Sequence, residues 1–174
     1  MSPLTFDLSG RTALVTGARR GIGRAAAVAL AAAGADIVGA SVSPAHDDEV
    51  GAEVERHGRS FRSYRCDFAD RQAVYGLVAD LRRDVGDVDI LVNNAGTIAR
   101  VPAAEHPDDL WDRVLEVNLS AQFVLARELG GRMLVRGGGK IDISRGCAGS
   151  LLSIIAAQFI GSLSHPQRLA SELA

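Results

Sequence analysis

The chain has 174 residues, of which 47% are hydrophobic and 23% are charged, and its formal net charge is −2. This length and composition favour a globular protein with a hydrophobic core and exclude a disordered chain or a fibre. The charge gives no basis for binding to nucleic acid or to a membrane surface, because both need clustered basic residues.

Short β-rich runs alternate with longer helical runs along most of the chain. In order they read RTALVTG, GRAAAVALAAAG, ADIVGAS, HDDEVGAEVERHG, SFRSYRCD, DRQAVYGLVADLRRDVG and VDILVNNAG. This alternation is typical of βαβ units, and continuously apolar strands such as TALVT and VDILV are typical of a sheet buried on both faces. The sequence therefore predicts an α/β fold with a Rossmann-like, doubly wound parallel sheet.

A longer helix and a fifth strand follow the alternating part. Apolar residues recur at helical spacing from Leu110 to Leu129, after Pro107 in a first-turn position. KIDIS follows a break of three glycines and predicts the fifth strand. Because no repeat, linker or low-complexity segment divides the chain, we predict a single domain over residues 1–174.

Cysteine and histidine usage limits the kinds of site that the chain can hold. Cys66 and Cys147 cannot form a disulfide framework, and the four histidines are scattered without metal-ligand spacing. The segment MSPLTFDLSGR has no secretory signal pattern, and the longest apolar run, AAAVALAAAG, is too short to span a bilayer. We therefore predict a cytoplasmic, cofactor-using protein without a metal site.

The stretch TALVTGARRGIGRAAAVAL predicts a strand, a glycine-rich turn and a helix. Gly17 permits a tight turn, and Gly21 and Gly23 allow the backbone to come close to a pyrophosphate at the helix N-terminus. The spacing G-x-x-x-G-x-G differs from the common dinucleotide motif G-x-G-x-x-G. Taken alone, the turn is compatible with either phosphate binding or tight packing.

Three further motifs follow this turn in a fixed order. Asp67 follows the third predicted strand, Asn93-Asn94-Ala95-Gly96 closes the fourth, and Asn118 lies in the long helix within VNLS. With TGARRGIG, they make residues 8–143 resemble the short-chain dehydrogenase/reductase family. The resemblance implies a sheet with strand order 3-2-1-4-5 and NAD or NADP as the cofactor.

The resemblance also implies which residues bind that cofactor. The glycine-rich turn would hold the pyrophosphate, Asp67 would accept a hydrogen bond from the adenine amino group, and NNAG would line the site. Asp67 could instead cap the next helix. The residues implied are Gly17, Arg20, Gly21, Ile22, Gly23, Ser41, Asp67, Asn94, Ala95 and Gly96.

Two sequence features bear on the choice of cofactor and substrate. Ser41 stands where NAD-preferring relatives commonly place an acid on the ribose hydroxyls, whereas Arg19 and Arg20 could neutralise the 2′-phosphate of NADP. Both cofactors therefore stay open. ADIVGAS, NNAGTIARVPAAEHPDDLWDRVLEVNL and SLLS resemble the sugar-acid dehydrogenases of the family, which oxidise a hydroxyl of acids such as 2-deoxy-D-gluconate with NAD, and this favours NAD.

Hydride transfer to a nicotinamide needs a group that takes the alcohol proton. The family uses a Tyr with a Lys four residues on, a Ser that holds the substrate oxygen, and an Asn that positions a water. Asn118 matches the Asn, and Ser150 matches the Ser better than the alternative, Ser144. Tyr64 and Tyr75 are the only tyrosines, and neither is followed by Lys at the fourth position, so the Tyr–Lys pair is absent.

Residues 144–174 depart from the family pattern. We expect residues 144–167 to reflect a reading-frame disturbance or an internal rearrangement, with the last strands of the family missing. Two functions remain: an NAD(P)-dependent oxidoreductase acting on a sugar acid, or an inactive dinucleotide-binding remnant or truncated fragment. The resemblance further implies a homo-oligomer built on the long helix, which the altered tail would impair.

Overall fold

The computed structural model describes residues 7–43 and 47–143. Their five strands form one parallel sheet in the order β3-β2-β1-β4-β5, which confirms the predicted fold and strand order. The strands are β1 Thr12–Thr16, β2 Asp36–Ser41, β3 Phe61–Arg65, β4 Ile90–Asn93 and β5 Lys140–Ile143.

Helices cover both faces of this sheet. They are α1 Gly21–Ala32, α2 Asp47–Arg56, α3 Arg71–Asp84, α4 Asp108–Leu115 and α5 Ala121–Val135, with a short 3₁₀ turn at Ala103–Glu105. Ala27 of α1 and Val54 of α2 pack with Val15 on one face, and Leu81 of α3 and Leu125 of α5 pack with Leu14 on the other. Neighbouring residues of β1 thus point into two separate cores, as a doubly wound sheet requires.

The order of the strands positions the functional residues. β1 lies at the centre, hydrogen-bonded to β2 on one side and to β4 on the other. Because all five strands run parallel, the turn after Thr16, the end of β2 at Ser41 and the segment after Asn93 meet at one edge. Ligands of open α/β sheets bind at this carboxyl edge, where the strand order reverses.

The long helix is not a regular α-helix throughout. A π-helical turn, Glu116–Ser120, separates α4 from α5, and the Ala121 N–H donates to the Glu116 carbonyl. Such turns are rare in proteins as a whole, and many of those that occur lie at functional sites. This one contains Asn118, so the residue that the sequence singles out lies at the irregular part of the helix.

Exposure on the long helix follows one side. Trp111 is 57% exposed and Phe123 is 37% exposed, while Leu125 and Leu129 are buried against the sheet.

In the part of the chain that the structure describes, no helix is long and apolar enough to cross a membrane. The candidate serines Ser144 and Ser150 and the rest of the tail lie outside the described residues.

Candidate functional site

A cleft of about 620 Å³ opens at the carboxyl edge of the sheet. Every predicted cofactor residue except Gly23 lies on its walls. The lining residues are Gly17, Arg19, Arg20, Gly21, Ile22, Ser41, Val42, Ser43, Asp67, Phe68, Asn94, Ala95, Gly96, Thr97, Arg113 and Val117. The structure thus brings together residues that follow four different strands, although their distances along the chain are large.

The N-terminus of α1 faces this cleft without a capping group. Arg20 occupies the cap position in an extended conformation and makes no side-chain cap hydrogen bond, and the first turn has no acidic residue. Gly21 has a φ of +56°, and a Cβ there would meet no atom within 4 Å. The first amides of α1 therefore point towards space that an anion such as a pyrophosphate fits.

Gly23 has a packing function. A Cβ at this position would lie 2.3 Å from the Gly17 carbonyl oxygen and 2.4 Å from Nδ2 of Asn94. Gly23 is buried under the turn and is not a lining residue of the cleft. Its missing side chain lets α1 begin directly against the turn and the segment after β4, so its effect on a bound phosphate is indirect.

Thr16 joins β1 to the segment after β4 and was not among the site residues predicted from the sequence. Its buried hydroxyl accepts hydrogen bonds from the amides of Asn94 and Ala95, both at 2.9 Å, and donates to the Val92 carbonyl at 3.3 Å. One side chain therefore satisfies two amides that leave the sheet. The signal in the sequence was a polar residue at the end of an otherwise apolar central strand.

Asn94 locks the glycine turn from the other side. Its Nδ2 donates to the carbonyls of Thr16 at 3.0 Å and Gly17 at 3.2 Å. Its Oδ1 is buried and has no hydrogen-bond partner among the residues that the structure describes. Buried amide oxygens normally accept a hydrogen bond, so this oxygen can accept one from water or from a molecule bound in the cleft.

Asp67 does not cap the helix that follows it. Its Oδ1 accepts from the Ala69 amide at 2.9 Å, whereas Asp70 is the N-cap of α3 and accepts from the Gln72 amide. Asp67 lines the cleft together with Phe68, and no described residue donates to its Oδ2. This oxygen is available as an acceptor, as the predicted contact with an adenine amino group requires.

Positive charge prevails on the walls of the cleft. Arg19, Arg20 and Arg113 line it, and Asp67 is the one acidic residue among the described lining residues. The end of β2 contributes the nearly buried Ser41 and the exposed Val42, neither of which carries charge. A ligand with two or more negative charges fits this environment.

Asn118 holds the segment after β4 and is not itself a lining residue. Its Oδ1 accepts from the Thr97 amide and its Nδ2 donates to the Thr97 carbonyl, both at 2.8 Å. Thr97 does line the cleft. The π-helical turn thus fixes the far end of the NNAG segment, and the water-positioning role implied by the resemblance remains a prediction.

Replacing Asn118 with Asp tests this two-point contact. At pH 7 the new carboxylate would face the Thr97 carbonyl without a donor, so we expect the free energy of unfolding to fall by about 2 kcal/mol. The same contact should raise the pKa of the new carboxyl above its unfolded value of about 3.9, so the loss should shrink as the pH falls towards that value. Urea unfolding of both proteins between pH 4 and 7 measures it; an equal difference at every pH would contradict the contact.

The described residues contain no proton-transfer pair at the cleft. Tyr64 donates to Asp84 on the surface. Burial and, to a smaller extent, the nearby charge of Asp84 raise the pKa of the Tyr64 phenol, whereas a catalytic base needs a lowered pKa. Tyr75 binds Arg127, and Lys140 starts β5 at the opposite edge of the sheet.

Burial raises the pKa of the Cys66 thiol to about 12, so it is not a nucleophile either. Across the described ranges, no cluster of three or more possible ligands could hold a metal ion.

Comparison with known proteins identifies the family. Residues 11–146 match the family described as short chain dehydrogenase. The chain belongs to this family. The 2-dehydro-3-deoxy-D-gluconate 5-dehydrogenase of Pseudoalteromonas atlantica is 55% identical over 137 residues, which make up 78% of this chain and 54% of that relative.

Solved structures of similar proteins agree with the fold. L-sorbose reductase from Gluconobacter frateurii, complexed with NADPH and L-sorbose, is 34% identical with a TM-score of 0.75, over 79% of this chain and 53% of that chain. NAD⁺-bound xylitol dehydrogenase is 34% identical with a TM-score of 0.74, over 82% of this chain and 55% of that chain. The chain therefore spans about half the length of the relatives it matches.

Proposed function

We propose that the described part of this chain binds NAD or NADP in the cleft at the carboxyl edge of its sheet. The observation that carries the proposal is the uncapped N-terminus of α1, which faces a cleft with three arginines and one acid. The buried, unpaired Oδ1 of Asn94 at the same place leaves a donor to be supplied from outside the described chain. The residues present therefore fit a dinucleotide.

Each part of the dinucleotide has a candidate partner in this cleft. Gly17, Gly21 and Ile22 would hold the pyrophosphate. Asp67 would accept a hydrogen bond from the adenine amino group, and the segment Asn94–Gly96 would line the rest of the cofactor. Arg20 and Ser41 would lie near the adenosine ribose. No acid among the described lining residues follows β2, so a 2′-phosphate meets no repulsion there, whereas the likeness to sugar-acid dehydrogenases favours NAD. Both cofactors belong in the test.

The proposed substrate class is a sugar acid with a free hydroxyl, such as 2-dehydro-3-deoxy-D-gluconate or 2-deoxy-D-gluconate. The named relative from Pseudoalteromonas atlantica supports this class by its 55% identity. When bound, the nicotinamide would supply the hydride acceptor, and Asn118 and Ser150, or Ser144, would be the catalytic positions on this chain. Without a Tyr–Lys pair to take the proton, we propose binding without turnover.

A titration followed by an activity assay tests this function. We expect NAD or NADP to bind with a dissociation constant measurable by calorimetry, and we expect no nicotinamide reduction above background with either sugar acid at pH 7 to 9. Turnover would show that a proton acceptor exists in this chain after all. Failure to bind either dinucleotide, in a chain whose circular dichroism shows it folded, would refute the proposed function.

The proposal has three further parts. They are a cytoplasmic location, a single domain over residues 1–174, and a homo-oligomer weakened by the altered tail. The exposed side chains of Trp111 and Phe123 on the long helix are the described surface that such an association would use. The free, buried thiol of Cys66 is compatible with a reducing compartment.

A further inference from the structure

We infer that Arg113 covers the adenine end of the cleft and determines the affinity for adenine-containing cofactors through the planar face of its guanidinium. This inference rests on the proposed function, because it assumes that a dinucleotide occupies the cleft. It adds a binding residue from α4, a helix that holds none of the residues predicted for the site.

The position of Arg113 is the first observation. It lies one helical turn before Val117, and both line the cleft together with Phe68 and Asp67. Phe68 is 3% exposed and Val117 is 8% exposed, so they form apolar walls around the free acceptor oxygen of Asp67. Apolar walls with one acceptor suit a flat aromatic base that carries an amino group.

The lack of a partner for Arg113 is the second observation. Its helix offers Asp109 at i−4 and Glu116 at i+3, both spacings at which ion pairs form. Glu116 instead binds Arg71 with two hydrogen bonds, at 2.8 and 2.7 Å, and Asp109 forms no ion pair with Arg113. The guanidinium makes no hydrogen bond or ion pair with any residue that the structure describes, and so it is free to turn towards the cleft.

Other arginines of the described chain behave differently. Several are held by a carboxylate from another segment of the chain, as are Arg24 by Glu53 and Arg132 by Asp87. Those on the cleft walls are not: Arg19, Arg20 and Arg113 have no acidic partner among the described residues. An arginine whose guanidinium plane stays free on the wall of a cleft can stack on a base, which the compact ammonium of a lysine cannot do as well.

The test compares Arg113→Met and Arg113→Lys with the unaltered full chain. Methionine keeps the length and helix propensity without the charge, and lysine keeps the charge without the planar group. Stacking of this kind is worth roughly 3- to 30-fold in affinity. We expect both variants to bind NAD and NADP about 10-fold more weakly by calorimetry. Their affinity for nicotinamide mononucleotide, which lacks adenine, should change less than about 2-fold by ligand-observed NMR.

Arg100→Met is the matched control, because Arg100 is also exposed and unpaired among the described residues but does not line the cleft. It should bind NAD and NADP like the unaltered chain. If Arg113→Met bound the dinucleotides as tightly as the unaltered chain, the inference would be overturned. It would also be overturned if Arg113→Lys kept the full affinity, because charge attraction alone would then explain the binding. If the unaltered chain binds no dinucleotide, the proposed function fails first and this inference falls with it.

Discussion

Replacing Gly23 with alanine is expected to lower the free energy of unfolding by about 3 kcal/mol and to abolish dinucleotide binding. The added Cβ would lie 2.3 Å from the Gly17 carbonyl oxygen, and a backbone oxygen cannot move as a flexible side chain does. Overpacking of this kind typically costs 1 to 3 kcal/mol or more, which exceeds the gain of about 1 kcal/mol from alanine in a helix. Chemical unfolding followed by circular dichroism gives the first effect, and calorimetry gives the second.

Gly76→Ala provides the control for this substitution. Gly76 is an exposed helical residue of α3, and a Cβ there would meet nothing within 4 Å. The same exchange should therefore stabilise the protein by about 0.5 to 1 kcal/mol and leave binding unchanged. Equal effects of the two variants would mean that the contact between α1 and the turn is not tight, and that Gly23 has no special packing role.

Gly23 also illustrates what a sequence pattern can and cannot predict. The spacing of three glycines between a strand and a helix was enough to locate the turn, because strand, glycine and helix signals are local. It did not separate their tasks: Gly21 faces open space, while Gly23 faces the Gly17 carbonyl oxygen. Which atom a missing side chain makes room for depends on how distant segments pack, and no local pattern contains that information.

The same division between local and long-range information applies to the rest of the molecule. The alternation of strands and helices correctly predicted a parallel sheet, because it is the pattern of βαβ units, and the order of the strands was predicted from the family resemblance. The π-helical turn at Asn118 was not predicted, because the apolar spacing there indicated one continuous helix, and the contact of Asn118 with Thr97 joins that turn to the distant segment after β4. Arg113 was missed for a related reason: in sequence it is one of many arginines, and only the fold places it on the wall of the cleft that Phe68 also lines.

Replacing Thr16 with valine should have the second large effect. The two side chains have nearly the same shape, so the change removes the hydroxyl without opening a cavity. The Ala95 amide would then lose its acceptor inside the protein, and the Asn94 amide would keep only its 3.1 Å contact with the Val92 carbonyl. Leaving the Ala95 amide unpaired costs 1 to 3 kcal/mol, and each of the two other hydrogen bonds of the Thr16 hydroxyl contributes about 1 kcal/mol, so we expect a loss of about 3 kcal/mol in the free energy of unfolding.

Two control substitutions separate the hydrogen bonds of Thr16 from its packing. Thr16→Ser keeps the hydroxyl and loses one methyl group, which should cost only about 1 kcal/mol. Thr12→Val makes the same exchange on the same strand, at a hydroxyl that forms no hydrogen bond with the described residues, and should change stability by less than about 0.5 kcal/mol. Because Ala95 and Asn94 line the cleft, Thr16→Val should also weaken dinucleotide binding, whereas Thr16→Ser should not. Retained affinity in the valine variant would show that the segment after β4 keeps its position without the Thr16 hydroxyl, and that Asn94 and Asn118 are sufficient to hold it.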